Sequence, residues 1–422
     1  MGEATKKARD ARAAAVGMAK LDSATRNAAL RALALSLLEQ TEFLIAENCK
    51  DIMAARANNT AEPLIDRLLL TPERLGGISA ALEQLALEKD PLDELVGGHT
   101  LYNGIQLRQI RVPLGVVAMI YEARPNVTAD AAGLCLKTGN ACLLRGGSLA
   151  VHSNLAMTKV LYEAGRGAGL PEFWLQSIET TSRDATTELM QLVGLVDVLI
   201  PRGSASLIKN TIENSKVPVI ETGEGNCHLY VHEAARSEII VPIMLNAKTQ
   251  RPGVCNAIES LLIDECVATR ELPAMLKALF AAGVLVHGDA TVADVAGGMP
   301  DADRFFTQAT EEDWGREYLD MEISVKCVSG LDEAIAHINR YSTHHSESML
   351  SEDHAAIKRF FAEVDSAAVY VNASTRFTDG GEFGLGAEIG ISTQKLHARG
   401  PMGLTALTST KVLLDGDGQI RG

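Results

Sequence analysis

The sequence predicts an α/β chain built from two doubly wound parallel-sheet domains with a small β element beside them. Three observations point there. Short apolar runs at residues 116–121, 141–144, 173–178, 196–200 and 217–220 lack polar alternation and are separated by helical stretches. Strands read this way when helices cover both faces of a parallel sheet. The same alternation resumes at 229–232, 258–263, 323–328 and 367–371, with helical patterns at 237–249, 267–282 and 331–341. The length of 422 residues, at ~150 per domain, is enough for two or three domains.

Residues 3–89 read as helical, because Ala and Leu dominate and charges gather on one face, as in the run from Ser23 to Leu38. Thr71-Pro72-Glu73 is a helix start, with Thr as cap and Pro in the first turn. Residues 97–111 hold Asn103-Gly104 between two alternating runs, a strong hairpin signal. A Gly-rich segment runs from 379 to 403, and residues 405–414 form a last strand. The expected division is a cofactor-binding domain at 1–228 carrying the 97–111 hairpin, a catalytic domain at 229–378, and a tail at 379–422.

Hydrophobic residues make up 46% of the chain and charged ones 22%, as in an ordinary globular protein. No apolar run approaches the ~18 residues of a membrane span. The N-terminus lacks an apolar signal segment, and Lys6 stands where a myristoylation signal has Ser or Thr. The expected location is the cytoplasm. A net charge of −15 argues against non-specific nucleic-acid binding, yet leaves room for small anions in a local cationic pocket. The seven cysteines are scattered without a C-x-x-C pair, so neither a disulfide framework nor a zinc site is expected.

One of them stands apart. Lys248-Thr-Gln-Arg-Pro-Gly-Val-Cys255-Asn256 sets a thiol in a Gly/Pro loop between a helix and an apolar strand. A nucleophilic cysteine must be a thiolate, and Lys248 and Arg251 are close in sequence. The backbone N–H groups of Cys255 or Asn256, or an amide such as Asn126, can hold an oxyanion. Ligands of doubly wound sheets bind beyond the carboxyl ends of the strands. There the second strand carries Arg145-Gly146-Gly147-Ser148, where dinucleotide sites place an acid for a ribose hydroxyl or a cation for a 2′-phosphate. Arg145 favours NADP(H) over NAD(H), with a solvated turn as the alternative. No G-x-G-x-x-G follows the first strand, so Pro201-Arg-Gly203-Ser204 is the candidate pyrophosphate turn, with plain strand-to-helix geometry as the alternative. His344-His345 has no third ligand at metal spacing and reads as solvated surface. A G-x-S-x-G elbow is absent.

Four segments carry a resemblance that spans nearly the whole chain: Tyr121-Glu-Ala-Arg-Pro-Asn-Val-Thr, Leu144-Arg-Gly-Gly-Ser, Gln250-Arg-Pro-Gly-Val-Cys-Asn-Ala, and the long run from Phe383 to Leu404. With these, the chain resembles the gamma-glutamyl phosphate reductases of the aldehyde dehydrogenase superfamily. The resemblance implies an aldehyde-dehydrogenase-like fold whose β oligomerisation arm pairs across subunits. It implies NADPH-dependent reduction of L-glutamate 5-phosphate to the 5-semialdehyde through a Cys255 thioester, in proline biosynthesis. The family's catalytic cysteine falls on Cys255 and the oxyanion amide on Asn126. Its phosphate-side residues fall on Arg145, Gly146 and Gly147, and its nicotinamide-ribose glutamate on Glu322. Arg124, Lys395, His397 and Arg399 are candidates for the anionic substrate. A homo-oligomer, dimer or tetramer, and a functional link to a glutamate 5-kinase are also implied. Hydrolytic relatives follow a general-base glutamate with Leu-Gly-Gly. Here Glu221 precedes Thr-Gly-Glu, which leaves its role as a base open. The rival readings are a hydrolytic NAD(P)-dependent aldehyde dehydrogenase and a non-catalytic dinucleotide-binding protein.

Overall fold

The computed structural model describes residues 2–122 and 124–421. Its strands are β1 (Leu95–Thr100) and β2 (Gln106–Pro113), then β3 (Val116–Tyr121), β4 (Ala141–Gly146), β5 (Leu175–Ser177) and β6 (Val198–Arg202). There follow β7 (Cys227–Val231), β8 (Ile258–Asp264), β9 (Leu285–Gly288), β10 (Phe306–Gln308), β11 (Glu322–Val328), β12 (Ser346–Leu350) and β13 (Ala368–Val371). The tail adds β14 (Ile391–Ser392), β15 (Gly400–Pro401) and β16 (Thr408–Asp415). Two compact units emerge. One comprises Met1–Thr222, Gly384–Gly390 and Met402–Gly422, the other Gly223–Phe383 and Ile391–Pro401, so the Gly-rich tail is shared between them.

The first unit holds a parallel sheet of order β5-β4-β3-β6. Every residue of β3 is buried. The helix Glu3–Met18 lays Ala4, Ala8, Ala11 and Ala15 on the sheet with Val116, Ala118, Ile120 and Leu143. That 4-3-4 spacing is one face of a helix, and alanines let it approach closely. The helix Asn126–Lys137 is buried along most of its length, and Gly133 faces Leu82, Leu85 and Leu30 of neighbouring helices. Thr71 caps the helix Pro72–Leu87 by accepting the Arg74 N–H at 3.2 Å. Buried Asp51 accepts the His152 and Ser153 N–H groups at 3.2 and 2.8 Å, where a helix N-terminus favours an anion. This anchors the helix Val151–Gly167 that follows the glycines after β4.

Two expected strands shrink for local reasons. Phe173 has φ +63°, a left-handed conformation, so β5 begins only at Leu175. Residues 217–220 reduce to a single bridge, Leu199–Val219, beside Pro218, which accepts from Leu199 but has no N–H to donate. The hairpin forms with its turn at Leu101–Ile105, where Gly104 takes φ +88°. β16 pairs antiparallel with β2 to give a sheet of order β1-β2-β16. It starts at Thr408 because Leu404–Leu407 winds into a 3-10 turn.

The second unit holds a seven-stranded sheet, all parallel, of order β10-β9-β11-β8-β7-β12-β13. Leu229, Val231, Leu261 and Val325 pack on one face with the helices Ser237–Thr249 and Glu265–Ala281. Tyr230, Leu262 and Met349 pack on the other with Ile335, Ile338 and Phe360. Both faces are covered, as the unalternating apolar runs require. The same face carries a buried polar cluster. His228 shares Glu347 with Ser366, and its ring stands 5.7 Å from that of His337.

Burial, then the charges of His228 and Lys326, push the pKa of His337 from 6.5 down to about 3, against Glu333 pulling it up. Arg340 adds to the downward push. An unfolded chain therefore binds a proton that the folded one rejects. Stability is full above pH 6.5 and falls as pH drops toward 3. Urea unfolding should show wild type losing roughly 2 kcal/mol more than His337→Leu between pH 7.5 and 5. Equal losses would show that His337 does not carry this pH dependence.

Candidate functional site

The helix Ser237–Thr249 ends on Thr249, and β8 begins at Ile258. Between them lies the loop that carries half-buried Cys255. Its stems are joined by an ion pair. Lys248 Nζ and Glu259 Oε2 stand 2.6 Å apart, both fully buried. Burial pushes Glu259 up to about 7 and Lys248 down, while their attraction opposes both shifts. Glu259 also accepts the Leu319 N–H at 3.2 Å. A charge inside a strand buried on both faces needs such a partner.

The loop is held from three further sides. Asn256 Nδ2 donates to the Thr378 and Arg376 carbonyls at 2.9 and 3.4 Å, and Thr375 Oγ1 donates back to Asn256 O at 2.7 Å. Arg376 Nε donates to Gln250 Oε1 at 3.0 Å. Cys227 Sγ donates to the Cys255 carbonyl at 3.1 Å, and its thiol is pushed well up by burial. Gly225 lies so close that a Cβ there would stand 1.6 Å from the Cys255 carbonyl oxygen. Glu317 accepts the Gly225 N–H at 2.7 Å, and burial raises its pKa. Cys255 thus sits at the amino ends of the parallel strands, beside the starts of β7, β8 and β12.

The first unit gathers its candidates at the opposite kind of edge, the carboxyl ends of β3, β4 and β6. Arg145 donates to the carbonyls of Thr181 at 2.9 Å, Gly146 at 3.1 Å and Ser182 at 3.4 Å. Burial lowers its pKa, and its Nε is buried without a hydrogen-bond partner among the described residues. A Cβ on Gly146 would meet Asn154, and one on Gly147 would approach the Glu122 backbone. Ser148 is exposed and opens the next helical turn. Ser204 donates both its N–H and its Oγ–H to the Glu122 carboxylate at 2.9 Å, and Gly203 leaves room for that carboxylate. An anion therefore already occupies the start of the helix Ala205–Asn214, in the place expected for pyrophosphate. Glycines without side chains, an orphaned guanidinium nitrogen and a helix start that binds a carboxylate all fit a phosphate-bearing dinucleotide.

Asn126 opens its helix, and its amide donates to Asp130 at 3.1 Å, which leaves its second amide proton without a partner among the described residues. Burial raises Asp130 to about 6, with Asn126 and Arg202 opposing. Arg124 is half-buried in the turn before that helix, and Glu221 is half-buried near the end of the first unit. Glu322 opens β11 and is held by His287 Nε2 at 2.9 Å; Asp313 lies 3.2 Å from the other ring nitrogen. Lys395 and Arg399 both bind Asp365, at 2.5 and 2.8 Å, and hold it down to about 2. Exposed His397 lies between them with φ +71°. His345, expected on the surface, is fully buried, with Ser346 Oγ 2.8 Å from its Nδ1. Among the described residues no group of three or more His, Cys, Asp or Glu is placed to hold a metal ion.

Gly225, Glu259, Glu317 and Arg376 were not anticipated as parts of the Cys255 site. Glu259 had a signal, a carboxylate inside an apolar run. Glu317 and Arg376 had none, because only the fold brings their segments to Cys255.

A family profile described as the aldehyde dehydrogenase family matches residues 2–295. A gamma-glutamyl phosphate reductase of Caldanaerobacter subterraneus subsp. tengcongensis is 52% identical over 98% of this chain and 99% of that one. One of Thermobifida fusca is also 52% identical, over 99% of this chain and 98% of the relative. Among solved structures, a gamma-glutamyl phosphate reductase of Thermotoga maritima superposes with TM-score 0.96 at 42% identity, covering 100% of both chains. An acetylating aldehyde dehydrogenase of Geobacillus thermoglucosidasius shares the fold, with TM-score 0.69 at 19% identity over 100% of this chain and 98% of that one. Among the described residues no helix is long and apolar enough to cross a membrane.

Gly225→Ala is expected to displace the Cys255 backbone, because the atoms its Cβ meets are main chain and cannot rotate away. Misplacing a reacting group by about 1 Å costs about 10²-fold in rate. The variant should lose about that much turnover while Cys255 remains present by mass spectrometry. Near-wild-type turnover would contradict the contact.

Proposed function

Because this chain belongs to the gamma-glutamyl phosphate reductases of the aldehyde dehydrogenase family, we propose that it reduces L-glutamate 5-phosphate to L-glutamate 5-semialdehyde and phosphate, with NADPH as reductant, in proline biosynthesis. The observation that carries this reading is Cys255, a half-buried thiol in a loop tied at both stems and on three sides.

Cys255 thiolate attacks the acyl carbon. The C–S bond forms, the C–O bond to phosphate breaks, and its electron pair leaves on phosphate. NADPH, when bound, supplies the hydride that converts the thioester to a thiohemiacetal. That species collapses to aldehyde and regenerates the thiolate. Asn126 and the Cys255 backbone N–H stabilise the oxyanion at both tetrahedral stages, and losing one such donor costs ~10²–10³ in rate. Arg145, Gly146, Gly147 and Ser148 are assigned to the adenosine-side phosphate, Gly203 and Ser204 to the pyrophosphate, and Glu322 to the nicotinamide ribose. For the pyrophosphate to reach Ser204, the Glu122 carboxylate has to give way. Arg124 remains assigned to the anionic substrate.

The β1-β2-β16 sheet leaves two edges unpaired, with Leu95, Val96, Val412 and Leu414 exposed. Such edges invite pairing with a second chain, so the sheet is assigned to homo-oligomerisation.

NADP⁺ reduction with glutamate 5-semialdehyde tests the reaction. It should require inorganic phosphate, whereas phosphate-independent turnover to free glutamate would indicate hydrolysis. Cys255→Ala should abolish turnover while NADPH still binds by fluorescence titration, and residual activity near wild type would remove Cys255 as nucleophile. Arg145→Ala should raise the KM for NADPH far more than that for NADH. An equal rise would assign Arg145 only to holding the 181–182 carbonyls.

A further inference from the structure

Two arginines flank Cys255 within the second unit. Arg251 is in the loop itself, four residues before the thiol. Arg376 is in the 3-10 turn Thr375–Phe377, which is stitched to Asn256 through Thr375 Oγ1 and the Arg376 carbonyl. Its Nε donates to Gln250, the neighbour of Arg251. Among the described residues Nη1 and Nη2 of Arg376 make no hydrogen bond, and no carboxylate lies within 4.0 Å of either guanidinium. Arg376 is half-buried, burial opposes its charge, and Arg251 repels it. The Asp379 carboxylate attracts it, as would a Cys255 thiolate.

Several other cations of the chain are held in ion pairs. The chain has 54 carboxylates for 39 Lys and Arg. Lys248 is paired with Glu259, Lys395 and Arg399 share Asp365, and Arg359 bridges Asp332 and Glu363. Two like charges left together with no carboxylate at ion-pair distance among the described residues, one of them half-buried, are unfavourable unless an anion joins them. The planar guanidinium fork suits the oxygens of a phosphate. With Nε anchored on Gln250, the two terminal nitrogens of Arg376 remain as that fork.

We propose that Arg376 and Arg251 form a phosphate subsite beside Cys255, holding the phosphoryl group of the acyl phosphate and, in reverse, inorganic phosphate. The proposal rests on the acyl-phosphate reading of the site. As the C–O bond breaks, charge grows on the departing phosphate, and the two guanidinium groups neutralise it. In the oxidative direction the same subsite presents phosphate to the thioester, so that phosphate rather than water takes the acyl group. Lys395 and Arg399, spent on Asp365, do not serve this purpose.

The test is protection of Cys255 from alkylation by iodoacetamide, a neutral reagent, with inorganic phosphate as the added ligand. It needs no turnover, so it stands apart from whether the reaction itself is phosphate-dependent. Wild type should be protected, and each of Arg376→Gln and Arg251→Gln should need at least about tenfold more phosphate for the same protection, as loss of a charged hydrogen bond predicts. Arg376→Lys should fall between. In semialdehyde oxidation the KM for phosphate should rise in step while the KM for semialdehyde stays near wild type. Arg251 holds no hydrogen bond among the described residues, so Arg251→Gln carries the test if Arg376→Gln unfolds. Wild type without phosphate protection would overturn the proposal, as would variants protected like wild type. An equal rise in both KM values for Arg376→Gln would reduce Arg376 to a loop clamp and overturn its part.

Discussion

The buried Lys248–Glu259 pair is the interaction on which the Cys255 loop depends. It closes the loop at its base, with one partner in the last turn of a helix and the other at the second residue of β8. Taking two charges out of water costs several kcal/mol per ion before their attraction is counted, so such a pair is weak evidence for stability. It is better evidence for position, since an ion pair has one geometry where an apolar contact has many. The pair reaches further through Glu259, which also holds Leu319. Two residues earlier Glu317 holds Gly225, and Gly225 is pressed against the Cys255 carbonyl. The thiol is therefore positioned by a closed circuit from stem to strand to neighbouring segment and back.

The two parallel sheets present their candidate residues at opposite edges. In the first unit these follow the carboxyl ends of β3, β4 and β6, where helix starts offer N–H groups to anions, as Ser204 does to Glu122. In the second unit Cys255, Gly225, Glu317 and His345 precede β8, β7, β11 and β12. Segments arriving at the amino edge bring side chains and carbonyls rather than helix N-termini. The surroundings of Cys255 are accordingly built from cross-segment hydrogen bonds and buried charge.

Charge is distributed to the same effect. A chain of net charge −15 has carboxylates to spare, and Lys395 and Arg399 of the tail are spent on Asp365. Beside the thiol, Arg251 and Arg376 have no carboxylate within 4.0 Å among the described residues. A strongly acidic protein can still take an anionic substrate when a few guanidinium groups are kept out of ion pairs.

Alternation of apolar runs and helices was enough to read the α/β class, the parallel sheets and the hairpin from sequence, because burial on both faces and the Asn103-Gly104 turn leave local signatures. Thr71 as a cap and Cys255 as a loop thiol were legible for the same reason. The strand at 217–220 and the start of β5 were not, since Pro218 and the left-handed Phe173 act against an otherwise apolar pattern. Charge at Lys395 and Arg399 was visible, but their shared partner Asp365 was not. Buried His345 looked like surface, because the chain around it is polar and only tertiary packing encloses it. By itself the sequence determined which elements form and which residue types could do chemistry, as both follow from short-range patterns. Only the tertiary structure decided which cations stay unpaired, which glycine must remain bare and which carboxylates hold the loop. Those depend on contacts between segments far apart in sequence, such as Asn256 and Arg376, 120 residues apart.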